Sequence, residues 1–208
     1  DTYCFDNYSS PVMQNFTPIV YEGDVAQIPA HADTYMVYQE GIYVGYKYYE
    51  TRYEDFVMGT GKAGDFKYGD DVAFPFGYGL SYTSFEYSDM KLAYDAESTT
   101  YTIDVTVTNT GDVKGKETVQ IYVSSPYTDY DKENKVEKAS VSLVGFDKTK
   151  ILQPGESQPL TIKVDGDYVA SYDAYGAGTY ILDAGDYLFT AATDAHNAVN
   201  NVLAAKGY

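Results

Sequence analysis

Tryptophan is missing from these 208 residues, cysteine occurs once, histidine twice, and only 14 basic side chains stand against 31 acidic ones. Each shortage excludes something. A lone Cys4 rules out an internal disulfide framework and every multi-cysteine zinc motif. A formal charge of −17 repels a phosphate backbone and an anionic membrane surface alike, and no basic patch offsets it. Nucleic acid and membrane are therefore set aside as partners. No stretch approaches the roughly 18 apolar residues of a membrane-spanning helix. What is abundant is tyrosine, 25 in all. Aromatics favour strands and also stack on sugars, and composition does not choose between the two.

The chain opens on Asp1 with no basic n-region and apolar h-region after it, so no signal peptide is visible and the compartment, cytoplasmic or secreted, stays open. Residues up to His31 carry neither helical nor strand periodicity and are punctuated by Pro11, Pro18 and Pro29, which reads as chain leaning on another body. Asn7-Tyr8-Ser9 and Asn15-Phe16-Thr17 fit the glycosylation sequon, a short motif that also arises by chance. From Tyr35 to Glu50 the run is aromatic and β-branched and reads as strand, broken by Gly41 and Gly45. Gly59, Gly61 and Gly64 have the spacing of a dinucleotide fingerprint, but the acidic residues that follow make a poor helix N-terminus for a pyrophosphate, so a flexible loop is expected.

After Leu80 the texture becomes regular. Tyr101, Ile103, Val105 and Val107 alternate with polar residues before a turn at Asn109-Thr110-Gly111-Asp112. Val119, Ile121 and Val123 predict a second such strand, Val141 and Leu143 a third. Pro154-Gly155 turns the chain into Leu160, Ile162 and Val164, and Tyr180 and Leu182 lead to a turn at Ala184-Gly185-Asp186 before Tyr187 and Phe189. With Phe85, Tyr87 and Met90 as an opening strand, about seven short strands have the spacing of a β-sandwich, each with one face in the core and one in water. In the tail, Asp194 is placed to cap a helix whose apolar stripe is Ala195, Ala198, Val199, Val202 and Leu203, with Gly207 as stop.

Chemistry is harder to find. His31 lies in the irregular opening and His196 in the first turn of the tail helix; without a G-x-S-x-G elbow, a surface or capping role is expected for each. Asp129, Asp131 and Glu133 alternate like the start of a calcium loop, but Asn134 stands where the sharp turn needs glycine and Ser140 where a bidentate glutamate is required, so an exposed solvated loop is the expectation. Two carboxylates cleave a glycoside with retention only when held about 5–5.5 Å apart in a cleft, and no spacing here points to that. No catalytic residue, metal ligand or cofactor is assigned.

Four segments carry a resemblance. EGIYVGYKYYET (Glu40 to Thr51) resembles a pattern of the family 3 glycoside hydrolases, the β-glucosidase and β-xylosidase family, with Lys47 where that pattern has arginine. FPFGYGLSYTSFEYSDMKL (Phe74 to Leu92) is similar to the signature preceding that family's C-terminal domain. VTVTNTGDVKGKETVQIYVSSP (Val105 to Pro126) and LVGFDKTKILQPGES (Leu143 to Ser157) resemble its fibronectin-like strands. In that family the nucleophile is an Asp on a (β/α)8 barrel, and the acid/base Glu usually comes from a following α/β sandwich domain. The resemblance here covers only the connecting run and the third, fibronectin type III-like part. Ser88-Asp89-Met90 is superficially similar to the nucleophile's context but falls in the first sandwich strand.

The resemblance implies an all-β, fibronectin type III-like (immunoglobulin-like) β-sandwich with an irregular N-terminal extension and a short C-terminal helix. The expected organisation is a connecting segment over 1–80, the sandwich over 81–193 and a helix or linker over 194–208. The tail is similar to that of members with permuted domain order, which implies more protein on both sides. The implied partners are the barrel and α/β sandwich domains of a longer glycosidase, with oligosaccharide reached through that enzyme. The implied role is a non-catalytic module stabilising the catalytic domains. Two alternatives stay open: a carbohydrate-binding module using exposed Tyr43, Tyr46, Tyr48, Tyr49 and Tyr53, or an adhesin-like structural domain.

Overall fold

The computed structural model describes residues 41–208. Cys4, His31, both sequons and the Tyr35–Glu40 part of the expected strand lie outside the described residues. The order of elements is α1 (Tyr46–Met58), α2 (Tyr68–Asp71), β1 (Phe85–Asp95), β2 (Thr100–Asn109), β3 (Thr118–Ser124), α3 (Asp129–Asn134), β4 (Ser142–Lys148), β5 (Ser157–Asp165), β6 (Ser171–Asp173), β7 (Thr179–Ile181), β8 (Leu188–Ala192) and α4 (Ala195–Ala205). All strand pairs are antiparallel, forming the sheets β1-β2-β5 and β4-β3-β8 and the small hairpin β6-β7. The fold is all-β with a few helices, a fibronectin type III-like sandwich.

The core between the sheets follows from the period of two. In β2, Ile103, Val105 and Val107 are buried; in β5, Leu160, Ile162 and Val164; in β3, Val119, Ile121 and Val123. Register brings these together, with Ile103 opposite Ile162 and Val105 opposite Leu160. The predicted turn after β2 is organised by Asn109, which is fully buried. Its Nδ2 donates to the carbonyls of Val113 and Leu152, and its Oδ1 accepts from the Thr83 hydroxyl and the Gly111 N–H, so no polar atom of the side chain is stranded.

One strand departs from the expected alternation. β3 is buried on both faces, because Gln120, Tyr122 and Ser124 turn away from the sandwich core yet are also covered. Tyr122 joins a second core formed with Val141, Ala192 and α4, whose buried residues are Ala195, Ala198, Val199, Val202 and Leu203, the stripe read from the sequence. Asp194 caps α4 by accepting from the Asn197 N–H at 2.8 Å. The architecture thus has a third, helical layer on the β4-β3-β8 sheet.

Two further expectations are corrected. The run read as strand up to Glu50 enters α1 at Tyr46, after Gly45 at φ 58. Aromatic content pointed to strand, but Tyr46, Glu50 and Tyr53 recur at helical spacing, and packing on that face overrides propensity. The acidic stretch expected as a solvated loop forms α3, closed by a capping box between Thr128 and Asp131, and Asp131 is fully buried.

Asp173 ties the β6-β7 hairpin to α3. Its Oδ2 accepts from the Tyr130 hydroxyl and the Ala177 N–H, both at 2.6 Å, and its Oδ1 from the N–H groups of Gly176 and Tyr175 at 2.7 and 3.2 Å. These donors, Tyr130 foremost, hold its carboxyl down at about 2. A folded-state value below the unfolded one, about 3.9, contributes stability that is present above pH ~4 and is lost as pH falls toward ~2. Urea midpoints measured at about pH 6, 4 and 2 should fall more steeply below pH 4 in the native chain than in Asp173→Asn; parallel curves would refute the assignment. In the core, Ile121→Ala should cost about 2–5 kcal/mol in the same assay at neutral pH.

Candidate functional site

The seam where α1 meets the helical layer concentrates the buried ionisable chemistry at this end of the molecule. Glu50, on the inner face of α1, is fully buried. Its Oε2 lies 2.9 Å from His196 Nδ1 on α4, and its Oε1 accepts the Tyr68 hydroxyl at 2.5 Å. The Tyr68 ring stacks on the His196 imidazole at 3.8 Å and 19°, and the Tyr53 ring lies tilted against both, 4.6 Å from the imidazole and 5.6 Å from Tyr68. Burial first, and the bond to Glu50 second, push the Tyr68 hydroxyl well above its ordinary range. His196 is therefore neither a surface nor a capping residue. A buried carboxylate is tolerable only when its oxygens are answered, and here two elements supply the answer. The Glu50–His196 bond ties α1 to α4.

The five tyrosines of interest divide. The Tyr43 hydroxyl donates to the Lys138 carbonyl at 3.1 Å, and burial, aided by Glu137, pushes its pKa up to about 12. The Tyr46 hydroxyl accepts from the Leu143 N–H at 2.9 Å, while its ring stacks on Phe76 at 4.6 Å and meets Tyr122 edge-on. The Tyr53 hydroxyl donates to Asn200 at 3.1 Å. Tyr48 and Tyr49 pair edge to face at 5.3 Å, with the Arg52 guanidinium 6.0 Å from the Tyr48 ring. Tyr43, Tyr46 and Tyr53 thus engage this chain's own sandwich and helical layer, and the five do not form one platform.

Sequence reasoning missed Glu50, Tyr68 and the position of His196. The available signal was the Tyr46-Glu50-Tyr53 spacing, which marks one helix face. The glycine triplet forms no phosphate cradle: Gly59, Gly61 and Gly64 all lie in the left-handed region, end α1 and turn the chain, and α2 after them has four residues. Asp89 sits at φ 54 within an irregularity of β1 between Ser88 and Lys91, exposed at the sheet edge. A second buried ionic set joins Lys138 to Asp131 at 2.8 Å and to Asp183 at 2.5 Å, with the Pro126 carbonyl as third acceptor. Among the described residues no group of three or more His, Cys, Asp or Glu is arranged to hold a metal ion.

Beside the packed seam lies an uncovered one. Phe74, Leu80 and Tyr82 are 63%, 90% and 98% exposed, and among the described residues Phe74 stacks on Tyr78, itself exposed.

Comparison with known proteins adds the following. A fibronectin type III-like domain matches residues 117–195. Over 166 residues the chain is 39% identical to a beta-glucosidase of Ruminococcus albus, a match covering 78% of this chain and 15% of that protein. An exo-alpha-(1->6)-L-arabinopyranosidase of Bifidobacterium breve is 34% identical over 168 residues, 81% of this chain and 19% of that one. The structure of beta-glucosidase 3B from Thermotoga neapolitana in complex with alpha-D-glucose superposes with a TM-score of 0.60 at 34% identity, over 78% of this chain and 19% of the other. The chain spans about a fifth or less of the length of these proteins.

Glu50→Gln and His196→Ala should each lower stability by about 1–3 kcal/mol in urea unfolding. The double variant should fall short of the sum by about 0.5–3 kcal/mol, and simple additivity would mean that the pair is not coupled.

Proposed function

Because the chain carries the fibronectin type III-like part of family 3 glycoside hydrolases, we propose that it is a non-catalytic module of a longer enzyme that cleaves β-glycosides, bracing the catalytic domains. In this reading residues 1–80 lead out of an α/β sandwich domain, 81–193 form the sandwich, 194–208 are the closing helix, and a (β/α)8 barrel completes the enzyme. The observation that carries it is the apolar run from Phe74 to Tyr82, exposed here directly beside the tightly packed α1 seam. An apolar strip of this kind is stable in water only at a cost that a neighbouring domain would remove.

The relatives add support. A similar segment occurs in a beta-glucosidase and in an exo-alpha-(1->6)-L-arabinopyranosidase, as a part common to enzymes named for different sugars. A part retained across such a change is suited to support rather than to choosing the bond cleaved. A second reading, sugar contact through the five tyrosines, is favoured by position only at Tyr43, whose ring lines a cleft.

The chain incubated with aryl β-glucosides and β-xylosides should release no aryl alcohol above the buffer rate; turnover that is lost in Glu50→Gln would overturn the non-catalytic role. Leu80→Ser should leave the isolated chain within about 0.5 kcal/mol of its original stability. The same change in the longer enzyme should lower that enzyme's thermal midpoint, and an unchanged midpoint there would remove the bracing contact.

A further inference from the structure

On the flank of α1 away from His196 lies a cleft of about 700 Å³, within the roughly 300–1,000 Å³ typical of small-molecule sites. Its charged lining is balanced, with Glu54, Asp55 and Asp186 against Lys132, Lys138 and Lys206. Counting Asp129, Asp131 and Asp183, which hold Lys132 and Lys138, the surroundings are net acidic and disfavour an anionic ligand. Several of these charges are already answered within the protein: Lys206 holds Glu54 at 2.7 Å, Lys132 holds Asp129 at 2.8 Å, and Lys138 is taken by Asp131 and Asp183.

What the cleft keeps open is ring surface and an exposed carboxylate. Asp186 is exposed on the rim, Tyr127 is 56% exposed, and the Tyr43 ring forms part of the wall with its hydroxyl tied back to Lys138. An aromatic face beside a carboxylate is complementary to a molecule that presents C–H faces and O–H edges together.

We infer that this cleft binds a neutral polyhydroxylated ligand, a short oligosaccharide segment, stacked on Tyr43 and Tyr127 and hydrogen-bonded to Asp186. The choice of saccharide among polyols rests on the glycosidase reading above. The cleft would hold a substrate chain away from the bond being cleaved, as an ancillary site on the bracing module.

The test is titration of the isotope-labelled 208-residue chain with cellotetraose and with xylotetraose, followed by amide NMR shifts up to about 10 mM sugar. Saturable shifts confined to the cleft lining, residues 43, 51–61, 124–127, 132, 138–140, 186–188 and 206, are expected for at least one sugar. Tyr127→Ala and Asp186→Asn, both at exposed positions, should weaken binding about tenfold with an unchanged unfolding midpoint. Absence of saturable shifts, saturation mapped elsewhere, or undiminished affinity in both variants would overturn the site. Such a result leaves the bracing role standing, because that role is read from Leu80→Ser in the longer enzyme, while glycoside turnover by the chain would overturn bracing and leave the cleft.

Discussion

With both faces of β3 covered, the sandwich and the helical layer share one strand, and neither can be disturbed alone. Val119, Ile121 and Val123 fill the space between the sheets, while Tyr122, on the opposite face of the same seven residues, anchors α4 and the ring of Tyr46. A strand with a solvent face tolerates a local shift, because its outer side chains move into water. Here any slip of register would exchange two packed sets at once. The position of Glu50 against His196, and of the cleft beside Tyr43, follows from that rigidity: α1 is held to α4, and α4 is held to β3.

Much of this was legible from the residues. Alternation in β2 and β5, the Asn109 turn and the α4 stripe depend on local periodicity, and local periodicity is what a sequence displays. The helical identity of α1 was not legible in the same way. Its tyrosines have strand propensity, and the partner that decides the matter, α4, lies at the other end of the chain. Asp131 was likewise misread as solvated, because Lys138, which answers one of its oxygens, lies seven residues on and is itself held by the distant Asp183. The site shared that fate: Glu50, Tyr68 and His196 come together only through tertiary packing, whereas the motifs flagged the tyrosines around them.

The acidity of the chain is unevenly spent. Among the described residues each buried carboxylate meets a specific donor: Glu50 meets His196 and Tyr68, Asp173 meets Tyr130 and three backbone N–H groups, Asp194 meets the Asn197 N–H, and Asp131, through one oxygen, meets Lys138. The remaining acids lie largely on exposed positions, where their repulsion is screened by salt and costs little. Surplus charge of one sign opposes the close approach of like surfaces, while the Phe74–Tyr82 stretch carries no charged side chain.

The bond between the Tyr53 hydroxyl and Asn200 joins residues 147 positions apart. On a ribosome adding about 5–20 residues per second, α1 emerges roughly 7–30 s before the helix that will cover it. During that interval its aromatic face is exposed in the nascent chain, and so is Glu50 without His196. Glu50, the one buried residue of α1, is thus made long before the histidine that will answer it.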